Sequence, residues 1–85
     1  MMREEFEKLV GENVSNEEYR IIDYVYTWHP SISGTEGKQQ MAYLYTNFGM
    51  AVINAMVEGA DIAEGLEHQE RMLIEQMRAL KERQQ

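Results

Sequence analysis

The 85-residue chain has no cysteine and only one proline, Pro30. Without thiols it has neither disulfide staples nor thiolate metal ligands, so a chain this short must draw stability from its core or from other copies of itself. Lack of cysteine also fits a reducing compartment, and the opening MMREEFEKLV is too charged to be an export signal, so a cytoplasmic protein is expected. Positive charge is scarce: eight Lys and Arg against fifteen Asp and Glu leave a formal net charge of −7. That balance argues against a partner such as duplex nucleic acid, whose binding requires cations on phosphates. From Gln39 to Val57 there is no charge at all, yet Gln39, Gln40, Thr46, Asn47, Gly49 and Asn54 make a membrane span unfavourable.

What the chain does have is helical periodicity, with no strand-period alternation, repeat or linker, and this predicts a single all-α domain over residues 1–85. A short helix is expected at 3–10, closed by Gly11. Ser15-Asn16-Glu17-Glu18 matches a capping box and starts a second helix, 15–28, with Ile21, Ile22, Val25 and Trp28 on one stripe. Pro30 disfavours helical geometry at His29, so a loop follows over 29–35. Thr35 is a candidate N-cap for a long helix over 36–57, whose core stripe is Met41, Leu44, Tyr45, Phe48, Val52, Ala55 and Met56. Gly59 can end that helix and Asp61 can cap a last one over 61–83.

The equal lengths of the last two helices predict an antiparallel hairpin turning at Glu58 to Asp61, with one continuous helix through Gly59 as the rival. The last helix carries Ile62, Leu66, Leu73, Met77 and Leu80 on a narrow stripe. Leu66, Leu73 and Leu80 recur every seven residues, but Gln69 and Gln76 fill the alternating core positions, which argues against a strong free-standing coiled coil. The other side of the third helix, with Gln39, Tyr43, Thr46, Asn47, Met50, Ala51 and Asn54, is uncharged too. A solvated face normally carries Lys, Glu or Arg, so a homo-oligomer that covers this face is expected.

WHPSISGTEGKQQ, residues 28–40, is the most unusual stretch. It supplies the hydroxyls of Ser31, Ser33 and Thr35, turning backbone at Gly34 and Gly37, and Lys38 in a first helical turn, where amides and dipole attract anions. It fails the spacing of a nucleotide-hydrolase phosphate loop, and it reads either as a capped turn or as an anion site. Tyr26, Trp28, His29 and Tyr43 stand near it and could stack on a base, or belong to the core stripes. Arg71 and Arg78 could line a second anionic pocket if arms from two chains converge, or pair with Glu67 and Glu75 on their own helix. No nucleophile, base and acid set is evident, so no catalytic residue and no cofactor is expected. His68 with Glu64 is a weak pair for a metal, and none is assigned.

The pattern Tyr26-Thr27-Trp28-His29-Pro30, followed by a polar glycine-containing loop and two long helices, resembles small phage-encoded anti-defence hairpin proteins that sequester cyclic nucleotide immune signals. The chain lacks the Trp-Ala-Asn run of that family's last helix and has two additional N-terminal helices. REEFEKLVGENVSNEEY is similar to the openings of many short proteins from phages of gut bacteria. The resemblance implies a symmetric homo-oligomer that binds a small signal, such as a cyclic oligonucleotide or an ADP-ribose derivative, without cleaving it. Two alternatives are an acidic inhibitor that covers a basic surface on a host defence enzyme, using Glu4, Glu5, Glu17 and Glu18, and a structural oligomerisation module.

Overall fold

The computed structural model describes residues 1–83 as four helices joined by short turns: α1 (Arg3–Val10), α2 (Asn16–Trp28), α3 (Gly34–Phe48) and α4 (Met50–Arg83). Among the described residues no helix is long and apolar enough to cross a membrane.

The first turn forms as local chemistry dictates. Gly11 takes the left-handed conformation (φ 74°, ψ 22°) that closes a helix, and its N–H donates to the Glu7 carbonyl. The Glu7 carboxylate then accepts the Val14 N–H at 2.8 Å, which pins the turn and helps seat the buried Val14. Ser15 accepts the Glu18 N–H at 3.1 Å, the N-cap half of the capping box, and its hydroxyl donates to the Glu18 carboxylate at 3.3 Å, which together hold α2 at its start.

The long helices differ from the sequence expectation. The break falls at Gly49, not Gly59: Gly49 has φ 69° and ψ −161°, a backbone region essentially reserved for glycine. α3 therefore stops at Phe48, and α4 runs unbroken for 34 residues, a rod of roughly 51 Å at 1.5 Å per residue. The chain does not turn back at Glu58 to Asp61, and Asp61 lies inside a helix, where it caps nothing. Thr35 is not an N-cap either; Ser33 holds that position, and its side chain makes no capping hydrogen bond.

Breaking the helix at Gly49 re-aims its stripe. Met41 and Tyr45 are buried as the periodicity requires, but Phe48 and Ala55 face outward, and Ile53 enters the core instead. α1 packs on α3, where Phe6 meets the Tyr45 ring edge-on with centroids 5.6 Å apart. α2 packs on the first half of α4 through Ile22, Val25 and Ile53. No residue of α4 beyond Ala60 is buried, and from Arg71 to Arg83 every side chain is exposed. The molecule thus consists of a compact bundle and a projecting helical arm, with extents of 59 × 22 × 22 Å.

Gly59 lies inside α4, and its missing Cβ makes room for the His29 ring just past the end of α2. A Cβ at Gly59 would lie 2.9 Å from His29 Nε2, so the histidine ring rests directly on the glycine backbone. The glycines therefore sort by role. Gly49→Ala should destabilise by about 1–3 kcal/mol, because it forces a side chain into a glycine-only conformation. Gly65→Ala, in open space within α4, should stabilise by about 1 kcal/mol. Gly59→Ala should lower the melting temperature, and most of that loss should disappear in a His29→Ala background; chemical and thermal denaturation measure all three.

Candidate functional site

The loop after α2 is built from its own atoms. The Ser31 N–H donates to His29 Nδ1 at 3.2 Å, and the Ile32 N–H donates to the His29 carbonyl at 3.1 Å. Ile32 is buried against Gly37, where an added Cβ would come within 3.1 Å of the isoleucine Cγ2 and 3.3 Å of the Tyr26 ring. Glycine at 37 thus allows α3 to approach the loop closely. The Tyr26 hydroxyl donates to the Gly34 carbonyl at 3.1 Å and closes the knot.

Lys38 does not wait for an anion from solution. Its ammonium lies 2.6 Å from the Glu5 carboxylate and ties α3 to α1. That hydrogen bond is the main reason the Glu5 carboxyl is held below its ordinary range and the Lys38 ammonium above its own. Ser31, Ser33 and Thr35 are exposed at the rim of this knot. The glycine-rich stretch is therefore first of all a packing device, with its one cation already neutralised.

Trp28 and Arg71, far apart in sequence, do come together. With Glu64, Glu67 and His68 they line a cleft of about 150 Å³ where the end of α2 meets α4. Arg71 donates to Glu67 at 2.6 Å, one turn back along α4. On the same side of α4 the Tyr24 hydroxyl sits 2.5 Å from both the Asp61 and the Glu64 carboxylates. The bond to Asp61, then that to Glu64, holds the phenol protonated far above its usual range. Two carboxylates against one guanidinium give this cleft little appeal for an anion, and its volume falls well short of the roughly 300–1,000 Å³ of ordinary small-molecule pockets.

The remaining expected residues do not join it. Tyr43 is 62% exposed on α3, and Arg78 lies two turns beyond Arg71 on the arm. Arg71 and Arg78 both occupy the side of α4 opposite Leu66, Leu73 and Leu80, so a partner lying on those leucines would not meet them. Of the acids considered for an inhibitory surface, Glu5 is bonded to Lys38 and Glu18 belongs to the capping box.

The outer face of α4 is open for binding. Ile62, Leu66, Leu73, Met77 and Leu80 are 58–69% exposed there, and no other described residue covers them. The sequence carried this signal in its leucine spacing. The expected fold-back at Gly59 hid it by assigning the stripe to an internal contact.

No family model, no curated protein and no solved structure matches the chain.

The Glu5–Lys38 pair makes a pH prediction. A carboxyl whose folded pKa is depressed stabilises the fold above its unfolded value and loses that contribution as pH falls through the lower folded value. Denaturation midpoints followed by circular dichroism from about pH 7 down to about pH 3 should therefore fall less steeply for Glu5→Gln and Lys38→Met than for the parent chain.

Proposed function

We propose that the protein is a non-catalytic assembly module that works as a homo-oligomer, its copies joined through the outer face of α4. The supporting observation is a helical arm with one apolar face that no other described residue covers. Amphipathic helices in proteins gain most of their stability by burying the apolar face, and on the arm that face is open. The arm carries five acids and four bases from Ile62 to Arg83, so it is close to neutral, whereas residues 1–61 carry ten acids and four bases. Association along the arm therefore meets little charge repulsion, and the acidic bundle keeps the assembly soluble. The uncharged exposed side of α3, with Tyr43, Thr46 and Asn47, offers a second surface for larger assemblies.

A second reading is the sequestration of a small phosphorylated signal, such as a cyclic oligonucleotide or an ADP-ribose derivative. It draws on the meeting of Trp28 and Arg71, a stacking ring beside a guanidinium, in one cleft. On this reading a copy docked on the cleft side of α4, away from the leucine seam, completes the pocket and supplies further positive charge, because Lys38 is already paired.

Sedimentation velocity over a wide concentration range tests the first reading. The parent chain should shift from one copy to an oligomer. Leu73→Glu, which puts a charge on the seam, should weaken association at least about tenfold while leaving the bundle folded. A chain that stays single at every concentration contradicts the assembly reading. Thermal-shift measurements with cyclic dinucleotides and ADP-ribose address the second: it expects a rise in melting temperature that is lost in Trp28→Ala and Arg71→Ala, and no shift with any of them removes it.

A further inference from the structure

Resting on the assembly reading, we infer that the partner of the α4 arm is the same arm of a second copy, lying parallel and in register as a short two-stranded coil. The first support is the division of α4 into two faces. At about 100° per residue, Ile53, Ala60, Glu64, Glu67 and Arg71 fall on one side of the rod. These are the residues that enter the core, accept the Tyr24 hydroxyl or line the Trp28 cleft. Ile62, Leu66, Gln69, Leu73, Gln76 and Leu80 fall on the opposite side, so a helix docked on that seam would clear the bundle.

The second support is the shape of the seam. Its surface has two shallow depressions, one ringed by Gln69, Met72, Leu73 and Gln76, the next by Gln76, Ala79, Leu80 and Arg83. Each is a set spaced i, i+3, i+4, i+7, the four-residue hole that receives a knob from a facing helix. They are seven residues apart, the spacing of Leu66, Leu73 and Leu80. A copy of the same arm therefore presents leucines at the repeat of the holes.

The glutamines choose the direction. In a parallel, in-register pair each seam residue faces its own twin, so leucine layers alternate with layers in which Gln69 and Gln76 bond across the seam amide to amide. An antiparallel pair sets the leucine positions against the glutamine positions, which leaves each amide facing an alkyl chain without a partner. The parallel register also brings Met72 of one copy beside Met77 of the other on the flank of the seam, and both are exposed in the single chain. The two acidic bundles then lie on the outer sides of the coil. The two helices between them, each about 10 Å across, separate them by more than the screening length of about 8 Å.

At about 25 cal/mol per Å², full burial of an aliphatic side chain corresponds to roughly 60–120 Å². Six seam and flank side chains, each about half to two-thirds exposed, give roughly 400–1,000 Å² over both copies, below the size of standard stable interfaces. The dimer is accordingly weak and concentration-dependent.

The test exploits the absence of native cysteine. Gln69→Cys and Gln76→Cys, made separately in the full chain and exposed to oxidised glutathione, should each form a disulfide dimer at micromolar concentration. Glu75→Cys, on the opposite side of the rod, should remain mostly single. Circular dichroism confirms that each variant folds, and sedimentation of the unoxidised proteins is run alongside. Cross-linking at both seam positions supports the proposal, because an antiparallel pair can bring at most one of them to its twin. A dimer in sedimentation with cross-linking at one position or neither overturns the parallel register and leaves the assembly reading standing. A single copy in every measurement overturns both.

Discussion

The arrangement rests on one close approach, where the His29 ring lies on the backbone of Gly59. Glycine inside a helix costs backbone entropy, about 1 kcal/mol relative to alanine, and here the missing Cβ is what allows α2 to reach α4. Pro30 fixes the other side of the contact by ending α2 at Trp28 and leaving His29 extended, with φ −65° and ψ 125°. The histidine then serves two neighbours: its ring abuts α4, and its Nδ1 accepts the Ser31 N–H. Because α2 spends its apolar face on the first half of α4, no other described residue is left to cover the second half.

The polar groups follow the same economy. Lys38 and Glu5 join α3 to α1, Tyr24 joins α2 to two carboxylates of α4, and Tyr26 closes the loop on Gly34. Each lies near the surface and bridges two segments of chain, so its role is to fix how the helices meet. Of the residues that look like a ligand site when read along the chain, Tyr26, His29, Lys38 and Arg71 have partners within the fold. Most of the large apolar side chains that stay open lie along α4.

An open face of that kind suits binding to another helix better than chemistry on a small molecule. It has area and periodicity, and it lacks a concave space where a ligand could be surrounded. In the proposed assembly the modest area makes association reversible, with the acidic bundles outside and the near-neutral arms inside. Signal sequestration and assembly are compatible, since the Trp28–Arg71 cleft lies on the side of α4 away from the seam and an assembly through the arms leaves it accessible.

The residues alone determined that the chain is all helical, where α1 and α2 begin and end, and that Ile22, Val25, Met41 and Tyr45 belong inside. Those features depend on caps, on Pro30 and on a 3.6-residue period, all of them local. The residues also carried the seven-residue leucine spacing of the arm. Only the tertiary structure decided which glycine breaks the long helix. Gly49 and Gly59 are equally permissive as letters; Gly49 sits where the chain must bend to bring α1 and α3 onto the bundle, and Gly59 where another helix needs room. The same packing decided that Lys38 faces Glu5 instead of solution, because the pair is formed by α1 lying on α3, a long-range contact that no local spacing encodes.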